Sequence, residues 1–130
     1  MFVKRSSVVA LCVGLTLLQG CRRQIESVKD LRIEHAVSPQ PPRVGQTTIE
    51  LGLRDTAGQP VIDARIKLEA NMSHAGMAPV FADATEEAPG YYGANINLSM
   101  AGDWIVVAHV TLADGRKLDH QFEINGVASQ

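Results

Sequence analysis

The chain has 130 residues, enough for one ordinary domain and no more. Hydrophobic residues make up 45% and charged residues 20%, a balance that excludes a disordered polar chain; with one Trp, two Tyr and three Phe, a core must rest on Val, Ile, Leu and Ala. The net charge is −2 and no extended basic stretch is present, which argues against nucleic acid as a partner.

Lys4 and Arg5 precede an apolar stretch from Val8 to Leu18. A bilayer-spanning helix needs roughly 20 apolar residues, so this is the layout of a secretory signal rather than of a span. Leu18-Gln19-Gly20-Cys21 resembles a bacterial lipobox. That resemblance implies a signal peptide over 1–20, a lipidated Cys21 and a polar tether over 21–30, with acyl chains as the membrane anchor. Arg22 after the cysteine implies, by the same resemblance, the outer membrane facing the periplasm. Without the first twenty residues, 10 basic side chains face 14 acidic ones. Cys12 falls inside the signal and Cys21 takes the lipid, so the folded domain carries no thiol. Disulfides, thiolate zinc sites and cysteine nucleophiles are thereby excluded from it.

From residue 31 to 130 the pattern is of short strands between turn signals, with no convincing helix. Leu31 to Val37 alternates, with Leu31, Ile33, His35 and Val37 on one face, before Pro39, Pro41 and Pro42. Thr47 to Arg54 places Ile49, Leu51 and Leu53 together, and Asp55 to Gly58 turns the chain. Val61 to Asn71 puts Ile62, Ala64, Ile66, Leu68 and Ala70 inside. Met72 to Pro79 reads as a loop, Val80 to Ala84 as a short edge strand and Glu86 to Gly90 as a turn. Tyr91 to Met100 alternates, with Tyr92, Ala94, Ile96, Leu98 and Met100 on one face. Trp104 to Leu112 is strongly apolar, Asp114-Gly115 is a hairpin turn, and Lys117 to Asn125 closes the domain. Seven strands in about 100 residues predict an all-β, immunoglobulin-like β-sandwich, preceded by the signal peptide helix.

The unusual local feature is Met72-Ser73-His74-Ala75-Gly76-Met77. Thioether sulfur is soft and favours Cu(I), and imidazole suits copper in either oxidation state. Met72, His74 and Met77 are therefore candidate metal ligands, and Met100 joins them if its turn lies at the same end of the sandwich. The alternative is that Met72 continues the apolar face of its strand, Met77 fills a gap and His74 is solvated. His35 and His120 both have inward parity, in the first and last strands, and can meet; a hydrogen-bonded core or rim histidine is the ordinary reading, and ligation the alternative. His109 has outward parity and reads as a surface histidine. Tyr91, Tyr92 and Trp104 are expected in the core, with ligand binding the alternative, and Asp83, Glu86 and Glu87 in a solvated loop, with a hard-cation site the alternative. Nothing resembles a nucleophile elbow, a P-loop or a metalloprotease helix, and the expectation is that the chain is no enzyme.

Pro42 to Ile124 resembles the YtkA-like domain, an exported β-sandwich module related in pattern to FixH-type proteins. The resemblance is carried by Val44-Gly45, by the Asp55 to Pro60 turn, by Val61 to Ala70 with the Met/His/Gly loop after it, by Gly90-Tyr91-Tyr92, and by Leu98 to Trp104. It implies a place in copper handling, heavy-metal efflux or respiratory-oxidase maturation, with envelope proteins of such a system as partners. Carried over residue by residue, the ligands fall on Met72, His74 and Met77, with Met100 as a further sulfur. Two functions follow as expectations. One is a membrane-anchored module that binds copper or a similar soft metal through this loop. The other is a metal-free interaction module of the bacterial envelope that uses a sheet edge or its Met-rich end loop.

Overall fold

A computed structural model describes residues 30–74 and 76–130; the expected signal peptide over 1–20, Cys21 and most of the expected tether over 21–30 lie outside the described residues. The seven strands are β1 (Leu31–Ser38), β2 (Gly45–Asp55), β3 (Arg65–Met72), β4 (Val80–Ala88), β5 (Tyr91–Leu98), β6 (Gly102–Thr111) and β7 (Lys117–Val127). Every paired neighbour is antiparallel, in the order β1-β2-β5-β4-β3-β6-β7. The expected all-β sandwich forms, and it is nearly closed.

Period-two alternation explains which face of each strand turns inward. Ile49, Leu51 and Leu53 of β2 and Ile66, Leu68 and Ala70 of β3 are buried, as are Ala94, Ile96 and Leu98 of β5. Trp104, Val106, Ala108 and Val110 of β6 and Phe122 and Ile124 of β7 complete one core. Each large side chain removed from water there stabilises the fold by about 1.5–3 kcal/mol.

The strand that joins the two layers is β4. Its first half, Val80 to Ala84, pairs with β3, while Thr85, Glu86 and Ala88 pair with β5. The register shifts between Glu86 and Ala88, the kind of irregularity by which a strand turns a sandwich corner. The sequence reading of an edge strand ending at Ala84 is thus corrected: β4 is longer and paired on both sides. Asp83, Glu86 and Glu87 are likewise strand residues rather than a solvated loop. The turn is confined to Pro89 and Gly90, and Glu86 accepts hydrogen bonds there from the backbone N–H groups of Gly90 (3.3 Å) and Asp63 (3.2 Å). Gly90 has φ 78°, and a Cβ at this position would stand 2.7 Å from Pro60 Cβ and 2.9 Å from the Leu53 carbonyl oxygen. Only glycine permits that approach.

Three further expectations are corrected. β3 begins at Arg65, because Asp63 adopts φ 57° and breaks the alternation; Ile62 is consequently 51% exposed instead of inward. β5 ends at Leu98, so Met100 leaves the inner face and stands in the turn before β6, 46% exposed. Tyr91 points outward, where its hydroxyl accepts a 2.8 Å hydrogen bond from Arg54.

Tyr92, by contrast, is fully buried and its hydroxyl organises the segment before β3. It donates to the Val61 carbonyl at 2.8 Å and accepts from the Ala64 N–H at 3.1 Å. Tyr92→Phe keeps the ring but strands both backbone groups, and such a loss costs about 1–3 kcal/mol. Urea denaturation followed through the fluorescence of Trp104 should show a lower midpoint with an unchanged slope. An unchanged midpoint would mean that the hydroxyl does not hold this segment.

Candidate functional site

The soft donors gather at one end of the sandwich because of register. Met72, the last residue of β3, is the antiparallel partner of Trp104, near the start of β6. The loop leaving β3 and the turn entering β6 must therefore emerge side by side. Backbone bonding extends the contact, since Ser73 N–H donates to the Asp103 carbonyl at 3.1 Å. The Trp104 indole N–H donates to the Met100 carbonyl at 3.0 Å, fixing the turn over the buried ring. Gly102 has φ 128°, and the Met72 methyl carbon lies 3.1 Å from the place a Cβ there would occupy. Glycine thus lets the turn close down on the methionine.

The condition set for Met100 is met: its turn adjoins the Met72–Met77 loop. The four candidates are not equivalent. Met72 is buried and belongs to the core cluster, as the apolar alternation of β3 requires. His74, Met77 and Met100 are exposed, Met77 and Met100 at 41% and 46%. Among the described residues no group of three or more His, Cys, Asp or Glu comes together in a way that could hold an ion. A metal at this end would depend on thioethers and one imidazole.

The other three histidines occupy different settings. His109, outward on β6 as expected, lies between two carboxylates: its Nδ1 is 2.7 Å from Asp119 and its Nε2 2.8 Å from Glu69. Asp119 is its cross-strand partner on β7, and Glu69 sits two residues along from Lys67, its partner on β3. Alternation alone puts these side chains on one outer face, but the pairing emerges only from register. The hydrogen bond to Glu69, then that to Asp119, raises the imidazole above its ordinary pKa. The amide of Asn71 and the same imidazole lower the carboxyl of Glu69.

His35 and His120 do meet, across the gap between β1 and β7. Their ring centroids are 5.9 Å apart, and His35 stacks on Phe122 at 4.2 Å with the planes 19° apart. Burial, and secondarily the charge of His35, lowers the pKa of His120. Tyr92 and Trp104 pack the core as expected.

A raised imidazole pKa fixes the sign of the pH dependence at His109. The stabilisation is fully present below the unfolded-state value near 6.5 and fades as pH rises through the higher folded value. On the acid side it declines as Glu69 takes up its proton, below that group's ordinary 4.5. His109 is 39% exposed, so screening holds the size to a few tenths of a kcal/mol, about 1 at most. Urea midpoints of the wild type and His109→Gln should differ most near pH 5.5 and converge at alkaline pH. A difference that grows with pH would contradict the two-carboxylate arrangement.

The model of the YtkA-like family matches residues 26–109. Among solved structures, the chain is similar to the soluble domain of PmoD from Methylocystis sp. ATCC 49242 (Rockwell), with 18% identity and a TM-score of 0.51; the match covers 75% of this chain and 91% of that one. At that identity the likeness concerns the fold alone. No curated protein sequence matches significantly.

Proposed function

The chain belongs to the YtkA-like family, and we propose that it is an exported lipoprotein of the bacterial envelope, held by acyl chains on Cys21, that binds Cu(I) or a similar soft metal at the Met72–Met77 end of its sandwich. One observation carries the reading. The Met72–Trp104 pairing brings the connection after β3, whose sequence carries His74 and Met77, beside the turn before β6, whose sequence carries Met100. Neutral thioethers with one imidazole suit a soft cation and offer little to a hard one. Met72 forms the floor of such a site and the three exposed donors its rim. The domain itself lacks thiols, so the donors are of a kind that survives outside the cytoplasm without pairing into disulfides. The carrier, chaperone or sensor that results would serve metal handling or oxidase maturation, in contact with envelope proteins of such a system.

A second reading has its own support. Met77 and Met100 are large exposed apolar side chains at the same end, and a Met-rich surface adapts to protein partners. A metal-free interaction module would use the same end, and its complexes would be indifferent to chelators.

Intact-mass spectrometry of the chain purified from membranes tests both parts. The account expects a mature chain beginning at an acylated Cys21, with one Cu(I) taken up by the wild type and none by the His74→Ala/Met77→Ala variant. Quenching of the single tryptophan, whose indole bonds to the Met100 carbonyl, should follow the uptake. Equal uptake by the variant would remove the metal site from this loop. A chain that retains residues 1–20, or one with an unmodified Cys21, would remove the anchor.

A further inference from the structure

From the gap between β1 and β7 we infer a second metal site, distinct from the Met/His end: His35 and His120 form a two-imidazole site for a late transition-metal ion. β1 and β7 are the two ends of the strand order and share no ladder hydrogen bonds. Near one end of the gap, the stretches flanking them are tied by backbone bonds from Val44 N–H to the Ala128 carbonyl (2.8 Å) and from Ala128 N–H to the Pro42 carbonyl (3.0 Å). Across this gap His35 of β1 and His120 of β7 bring their rings near each other.

Three observations point to a ligand. The first is the ring spacing. With metal–nitrogen bonds of about 2.0–2.1 Å, each ring centre stands about 3.2 Å from a shared ion, so two imidazoles on one ion are separated by about 5–6.4 Å. His35 and His120 stand at 5.9 Å. The second is an orphaned nitrogen. His120 Nε2 is buried and has no hydrogen-bond partner among the described residues. Buried polar atoms are nearly always partnered, so this nitrogen calls for a partner that the protein does not supply, a water or an ion. The third is access. On the β1 side His35 is exposed and lines, with Val37, Glu123 and Ile124, a cleft of about 400 Å³; His120 is not part of that lining, so an ion would enter from the His35 side.

Phe122 acts as a positioning residue. Its ring stacks on His35 and holds that imidazole over the gap. The remaining imidazoles do not compete within this site. His109 has both nitrogens engaged by carboxylates, and His74 lies in the loop after β3. An ion held by two imidazoles belongs to the group favoured by nitrogen donors, Zn(II), Cu(II) or Ni(II), and water completes its coordination. By linking strands that share no ladder bonds, it would also fasten together the two ends of the sheet.

Zn(II) is the probe, because thioethers attract it weakly and it leaves NMR signals sharp. Long-range proton–nitrogen correlation spectra of the histidine rings should be recorded on the chain during Zn(II) titration, for the wild type, the His74→Ala/Met77→Ala variant and the exposed-side variant His35→Gln. The expected result is one equivalent bound, with the His35 and His120 ring nitrogens shifting together in the first two proteins. His35→Gln should weaken binding at least tenfold while its unliganded spectrum stays that of the folded protein. Any of three results overturns the inference: neither ring shifts, one shifts without the other, or His35→Gln binds as tightly as the wild type. The first would leave His120 Nε2 to a trapped water. Because the loop variant retains this site, its outcome separates this inference from the fate of the Cu(I) reading.

Discussion

The antiparallel pairing of Met72 with Trp104 is the constraint on which the rest of the molecule turns. It is fixed by burial. Ile66, Leu68, Ala70 and Met72 face inward from β3 opposite Val110, Ala108, Val106 and Trp104 of β6. A slip of one residue would carry the whole apolar set of one strand to the solvent face, so no neighbouring register competes. The chemistry at the end of the sandwich is a consequence. Once Met72 is held against Trp104, the loop that follows one and the turn that precedes the other have no choice but to adjoin. Met72 therefore has two roles. It is a core side chain by its burial, and it is the foot of the loop by its position.

Closure of the sheet has the same origin. β4 gives half its length to β3 and half to β5, which converts two layers into a single continuous ladder. The ladder leaves β1 and β7 as the unpaired ends, and across the gap between them His35 stacks on Phe122 beside His120. The four histidines of the chain then fall into three environments that the topology decides: one between carboxylates on an outer face, one in the exposed loop, and two across the gap. They share an imidazole and differ in what each nitrogen can still bind.

Much of this was legible in the sequence, and the exceptions have identifiable causes. Alternation gave the seven strands and the inward faces of β2, β6 and β7. It failed at Ile62, where a left-handed Asp63 interrupts the period, and at Met100, where the strand stops two residues early. It also failed at Glu86, whose charge suggests a loop but whose carboxylate ties down the turn backbone. Residue types and local spacing singled out Met72, His74 and Met77. Whether the turn that carries Met100 lies at their end is a question of topology, answered only by the β3–β6 register. The Glu69–His109–Asp119 cluster escaped notice for the same reason. Its members are 40 and 10 residues apart in sequence, and nothing in either spacing announces that they share a face. The meeting of His35 and His120 was open to inference from their parity in the first and last strands. Their separation and the orphaned nitrogen were not.

The central claim is that register assembles sulfur donors into one metal-binding end. X-ray absorption at the copper edge, on the full chain loaded with a single equivalent of Cu(I), tests it most directly. The account predicts sulfur scatterers at about 2.3 Å together with a nitrogen shell at about 2.0 Å. A first shell of nitrogen and oxygen alone, with no sulfur, would contradict it.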